Sequence, residues 1–206
     1  MIRMLLTAVM AVGCSTTTAE AKTSEAPPVE EGQAAAIFAG GCFWCMEKPF
    51  DVVDGVISTT SGYTGGPEKG PTYQEVSYHR TGHYEAIRVV YDPKKVSYDR
   101  LLEIFWHNVD PTDARGQFCD KGDQYRTGIF TSEPSEIRKA KASKKKAEKD
   151  LGKTIVTEVL PEQPFWVAEA YHQDFYKTNP LHYTRYRTGC GRDARLRQLW
   201  GEKAGH

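Results

Sequence analysis

Between Ala34 and Phe130 the apolar residues change period repeatedly, and a layered α+β domain accommodates such a succession. Residues Ala34 to Ala39 form a continuous apolar run, the pattern of a short buried strand. A helix after Cys42 is predicted next, kinked or shortened at Pro49 because proline lacks the N–H that a helix interior needs. Val56 to Tyr63 and Glu85 to Tyr91 read as strands on either side of a Gly- and Pro-rich loop. Ser97 caps a helix whose Tyr98, Leu101, Leu102 and Phe105 share one face, and Arg126 to Phe130 reads as a fourth strand. The order strand, helix, strand, strand, helix, strand predicts a two-layer α+β sandwich. Its core would be a ferredoxin-like split βαβ with a mainly antiparallel sheet and helices on one face.

An added unit follows this core. Ser132 to Asp150 predicts a helix, Thr154 to Leu160 a strand and Val167 to Tyr176 a second helix, with an irregular C-terminal tail after it. The first of these helices carries Arg138, Lys139, Lys141, Lys144, Lys145, Lys146 and Lys149, which reads as a solvated basic face. Acidic and basic residues balance at 27 each, so the chain lacks the charge excess of a nucleic-acid binder or of a protein held on lipid by charge alone. Gly62-Tyr63-Thr64-Gly65-Gly66 has neither the glycine spacing nor the following helix of a dinucleotide or phosphate loop.

Met1 to Gly13 combines one early arginine with an apolar run too short to cross a bilayer, and it reads as a signal peptide. The run ends at Gly13-Cys14 and so resembles a bacterial lipoprotein leader, in which Cys14 is lipidated and becomes the mature N-terminus; Ala11 departs from the leucine usual there. Residues 14–33 are rich in Ser, Thr, Ala, Glu and Pro, the composition of a disordered tether, which places the folded domain at residues 34–206. The expected location is the bacterial cell envelope outside the cytoplasm, with the membrane reached only through the lipid anchor.

Five cysteines, Cys14, Cys42, Cys45, Cys119 and Cys190, are scattered over a chain too large to need a disulfide framework, which points to redox or metal chemistry. In Gly40-Gly41-Cys42-Phe43-Trp44-Cys45, paired glycines end a strand and Cys42 sits at or just before a helix start. Free amide donors and the helix dipole there favour a thiolate, hence a nucleophile at neutral pH. Phe43 and Trp44 would wall an apolar pocket beside it. The competing assignment is a buried structural thiol.

Further motifs follow in order: Gly41-Cys42-Phe43-Trp44, Gly62-Tyr63-Thr64-Gly65-Gly66, Pro71-Thr72-Tyr73, Gly82-His83-Tyr84-Glu85-Ala86 and Asp120-Lys121-Gly122-Asp123-Gln124-Tyr125-Arg126. From about Ala36 to Trp200 the chain resembles the A-type peptide methionine sulfoxide reductases. The resemblance implies reduction of the S epimer of methionine sulfoxide, in proteins and as the free amino acid, by thiolate attack of Cys42. Glu85 would protonate the departing oxygen, provided a dry site keeps it protonated. Tyr73 and Tyr125 would hydrogen-bond that oxygen, Asp120 would orient the same polar network, and Phe43 and Trp44 would hold the substrate methyl group. The resemblance implies no metal and no organic cofactor, a thioredoxin-like electron donor and a monomer.

Attack leaves a sulfenic acid on Cys42, which a neighbouring thiol condenses with to form a disulfide. Cys190, flanked by Gly189 and Gly191 in the tail, is the first candidate for that thiol. Cys45 competes through its two-residue spacing, and Cys119, beside Asp120, is third. Two rival functions use the same cysteines. A general thiol-disulfide oxidoreductase would need only Cys42 and Cys45, leaving Glu85, Tyr73 and Tyr125 unexplained, and a zinc-stabilised binding lipoprotein would enlist four cysteines lacking a second close pair.

Overall fold

The computed structural model describes residues 21–78 and 81–205; the leader and Cys14 lie outside them. In chain order the main elements are β1 (Ser24–Glu25), β2 (Ala34–Gly40), α1 (Trp44–Asp51), β3 (Val56–Thr64), α2 (Tyr73–Ser77) and β4 (Tyr84–Tyr91). Then come α3 (Tyr98–His107), β5 (Gly116–Gln117), β6 (Asp120–Lys121), β7 (Thr127–Phe130), α4 (Pro134–Leu151), β8 (Glu158–Leu160) and β9 (Trp166–Val167). The chain ends with α5 (Phe175–Thr178), α6 (Pro180–Gly189) and α7 (Arg192–Trp200).

A seven-stranded sheet runs β1-β9-β3-β4-β2-β7-β8, with β5 and β6 forming a separate small hairpin. Every pairing in the large sheet is antiparallel except that of β7 with β8. The central strand β2 alternates strictly. Ala36 and Phe38 enter the main core with α1 and α3, and Phe38 stacks on Phe50 at 5.4 Å and Phe105 at 5.3 Å. Ile37 and Ala39 pack on the opposite face against Tyr84, Phe130 and Phe165. Burial of both faces is why this strand reads as an unbroken apolar run.

The predicted ends of the four central strands and of α3 agree with the structure to within about a residue, and Ser97 Oγ accepts from Arg100 N at 3.2 Å as the cap. Pro49 does shorten α1, which stops two residues later at Asp51. Helix α4 buries Ala140 and Ala147 and leaves most of its basic residues toward solvent.

Three expectations need correction. The expected helix from Val167 to Tyr176 is instead strand β9, a 3₁₀ turn over Ala170–His172 and the short α5. Trp166 and Val167 pair with β3 and β1, and the Gln173 carboxamide binds both the N–H and the C=O of Ser61 at 2.9 Å, as a neighbouring strand would. The tail is helical, not irregular: α6 starts with Pro180 in its first turn and buries only Tyr183 and Arg187, too few residues to mark a helical period. The tether reaches the domain before Ala34. Ser24 and Glu25 add β1 to the sheet edge, and Ala26 N donates to Phe165 O at 2.8 Å, backbone bonds that composition does not register.

Candidate active site

Two glycines deliver Cys42 from the end of β2 to the start of α1. Gly41 has φ +79°, and a Cβ there would lie 2.5 Å from Gln117 Cβ; one at Gly40 would lie 2.6 Å from Met46 Sδ. Gln117 is held by a pair of bonds, accepting from Asp110 N at 2.8 Å and donating to Asp110 O at 2.7 Å. The loop before β7 is thereby pressed against the Cys42 turn, and it carries Asp120 and Tyr125 with it. Phe43 is the N-cap of α1, so Cys42 immediately precedes the cap, where it was expected.

Glu85 projects from β4 and is 2% exposed. Its Oε2 accepts from Phe43 N at 3.1 Å. Burial pushes its carboxyl up to about 8 against the opposing effect of that N–H, so it stays mostly protonated at neutral pH. Tyr73, opening α2, and Tyr125 are half-buried, and both phenols are raised by burial and then by Glu85. Both also feel Cys42 and Asp120, so the five polar residues drawn from distant motifs form one cluster. Asp120, whose carboxyl burial also raises, accepts from the Tyr186 hydroxyl, and Tyr186 in turn bonds the Cys42 side chain.

The two aromatic residues divide their work. Phe43 is 1% exposed and packs behind the site against Tyr63 and His172, with ring centroids at 5.9 and 4.9 Å. Trp44 is half-buried, stacked on Phe175 at 3.7 Å and edge-on to Tyr186 at 5.7 Å. Its indole N–H donates to Nδ1 of the buried His172 at 3.0 Å, which fixes the imidazole as an acceptor at that nitrogen. Glu169 completes this frame, accepting from Tyr63 Oη at 2.9 Å and Tyr73 N at 2.8 Å.

The thiols are arranged differently from the expectation. Cys42 and Cys45 are both free and buried, and their side chains hydrogen-bond each other. Burial pushes the Cys42 thiol up. Cys45, bonded by Cys42 and near Arg192 and Arg187, is held down to about 6. The two sulfurs therefore titrate as a pair, and burial works against the helix-start effect at Cys42. Cys190 lies between two helices rather than in an irregular tail; it caps the end of α6 and forms a disulfide with Cys119. The sulfurs of Cys119 and Cys190, which sit with Asp120, are bonded to each other and so are not the thiolates that the zinc alternative needs.

His172, Glu169, Tyr186 and Arg192 were not singled out from the sequence. The first two lie in the segment misread as helix and the last two in the region expected to be irregular. Only Thr72-x-x-Glu75 offered a missed local signal, the capping box that begins α2 and thereby orients Tyr73.

A buried dithiol beside a protonated carboxyl and two phenols, framed by aromatic rings on an α+β sheet, defines a thiol-dependent reductase. Residues 34–204 match the family model described as peptide methionine sulfoxide reductase. A peptide methionine sulfoxide reductase of Caulobacter vibrioides is 53% identical over 167 residues, covering 81% of this chain and 85% of that protein. One from Bacillus subtilis is 50% identical over 177 residues, covering 85% of this chain and 100% of its own length. Among solved structures, methionine sulfoxide reductase A of Corynebacterium diphtheriae superposes with a TM-score of 0.70 at 34% identity, covering 74% of this chain and 77% of the other. Reduced Mxr1 from Saccharomyces cerevisiae gives 0.69 at 28% identity, covering 77% and 91%. The chain belongs to the peptide methionine sulfoxide reductase family, and its chemistry is that of an oxidoreductase acting on methionine sulfoxide.

Proposed function

We propose that this chain reduces the S epimer of methionine sulfoxide, in oxidised proteins and as the free amino acid, with Cys42 as nucleophile and Glu85 as acid. The observation that carries this is the Phe43 N–H bond to Glu85, which holds a buried, protonated carboxyl beside the start of the helix that presents Cys42. The Cys42 proton passes to Cys45, and the Cys42 thiolate attacks the sulfoxide sulfur. Glu85 protonates the oxygen as the S–O bond weakens, with Tyr73 and Tyr125 stabilising charge on it. Transfer of that hydroxyl releases methionine and leaves a sulfenic acid on Cys42, so cysteine sulfur loses two electrons and the substrate sulfur gains them. Trp44 is the ring best placed to meet the substrate methyl group, with Phe43 supporting from behind.

Cys45 then condenses with the sulfenic acid, expelling water and forming a Cys42–Cys45 disulfide, because it is the cysteine already in hydrogen-bond contact with Cys42. A thioredoxin-like dithiol restores the pair and leaves as a disulfide. The same proposal includes a monomer tethered outside the cytoplasm through lipidated Cys14, on the strength of the leader pattern in residues 1–14. Separated R and S epimers offered with dithiothreitol test the assignment: methionine should form from the S epimer alone. Equal turnover of both epimers, or disulfide exchange without methionine, would overturn it.

A further inference from the structure

Arg192 is 1% exposed and opens α7, and its guanidinium reaches the strand end and helix that flank the two free thiols. One terminal nitrogen donates to Gly40 O at 3.1 Å, Met46 Sδ at 3.0 Å and Asn108 O at 2.8 Å, and its Nε has no partner. All three acceptors are neutral. Among the described residues Arg192 makes no salt bridge, whereas Arg187 is paired to Asp193 at 2.6 Å and Arg195 to Asp110 at 2.7 Å. A guanidinium does not give up its proton in a protein, and a buried cation without a counter-charge is strongly disfavoured. The Phe118 ring lies 4.4 Å from the guanidinium carbon and offsets part of that cost, but it carries no net charge, so an anion nearby is still favoured.

The groups facing the thiols narrow the choice. From β4, Glu85 is mostly protonated at neutral pH and supplies no charge. From the hairpin loop, Asp120 is an anion within the field of Arg192, makes no salt bridge with it, and accepts from the Tyr186 hydroxyl. From α6, Tyr183 and Tyr186 are neutral phenols raised by burial, and Arg187 adds a cation already matched by Asp193. Tyr73 and Tyr125 close the remaining side as neutral phenols. The Cys42–Cys45 pair is the other source of negative charge, with both sulfurs in the field of Arg192 and its guanidinium bonded to Gly40 and Met46 on either side of them. We propose that Arg192 is the positioning residue that serves as counter-cation to the Cys42–Cys45 pair, holding one negative charge on the two hydrogen-bonded sulfurs. Its grip on Gly40 O and Met46 Sδ ties that charge to the turn that presents Cys42.

This deepens the proposed reductase site, and its test uses no sulfoxide, so its failure would leave the reductase assignment standing. The probe is thiolate ultraviolet absorbance across pH on the full chain with the Cys119–Cys190 disulfide intact, taking the part lost in the Cys42→Ser, Cys45→Ser double variant. Wild type should form its thiolate with a midpoint at about 6. Arg192→Met should raise that midpoint by about one unit or more, roughly tenfold less thiolate at acidic pH, Arg192→Lys should restore part of it, and Asp120→Asn should lower it. An Arg192→Met midpoint equal to wild type would overturn the proposal. Should Arg192→Met fail to fold, the Cys42→Ser, Cys45→Ser double variant carries the test by thermal unfolding, since removing both sulfurs leaves the guanidinium without that anion. Its penalty should be present at pH 8 and shrink at pH 5, where the wild-type pair is itself protonated; a penalty independent of pH would equally overturn the proposal.

Discussion

The backbone N–H of Phe43 donates to Oε2 of Glu85 at 3.1 Å, tethering a buried carboxyl to the residue directly after Cys42. Position and protonation state are therefore coupled: the burial that raises the carboxyl to about 8 is produced by the same packing that holds it beside the nucleophile. Glu85→Gln keeps the acceptor oxygen and cannot deliver a proton. Single-turnover methionine formation should fall by about 10² to 10⁴, while substrate affinity changes little. Wild type should lose rate as pH rises through about 8, because the charged form has no proton to give, and the variant should lack that limb. A variant within about threefold of wild type with the same profile would pass the acid role to Tyr73 or Tyr125.

The contact between Cys42 and Cys45, set against the bond between Cys119 and Cys190, separates two resolving schemes. Cys45→Ser should release about one methionine per enzyme and then stall with thioredoxin as donor, while a small thiol that reaches the sulfenic acid restores part of the rate. Cys190→Ser should retain thioredoxin-driven turnover. The opposite result, stalling in Cys190→Ser and turnover in Cys45→Ser, would assign resolution to Cys190 and require α6 to move.

Gly41→Ala tests whether the Cys42 turn depends on Gln117. A side chain at φ +79° costs about 1–2 kcal/mol, and displacing Gln117 Cβ from 2.5 Å costs about 1–3 kcal/mol more. The melting temperature should drop by roughly 5–15 °C for a domain of this size. The chemical step should slow as well, since Gln117 anchors the loop bearing Asp120 and Tyr125. A drop under about 2 °C with full activity would mean the turn relaxes freely.

Cys14→Ser tests the leader. Wild type should partition with membranes and the variant should not, with activity of the folded domain retained, because residues 15–33 supply none of the groups assigned to the chemistry. Wild-type protein found entirely soluble with Met1 retained would remove the lipoprotein assignment.

The local chemistry of this protein was written in short stretches of sequence. β2 reads as a strand because both its faces are apolar, Ser97 marks α3 because a hydroxyl must satisfy the orphan N–H groups, and of the two glycines before Cys42, Gly41 takes a left-handed φ that strains any side chain. Glu85, Tyr73, Tyr125 and Asp120 were named from motifs, and the structure gathers them around Cys42. What tertiary structure alone decided depends on groups far apart in the chain. Trp44 meets His172 across 128 positions, Arg192 meets Gly40 across 152, and Cys119 meets Cys190 across 71. Helix α6 and strand β9 escaped notice because backbone pairing and a few long contacts, not an apolar period, hold them in place. The charge on the dithiol was likewise undecidable from Cys42 and its helix start. Burial disfavours a thiolate there, the contact with Cys45 ties the two sulfurs into one titration, and Arg192, whose field reaches both, comes from the far end of the chain.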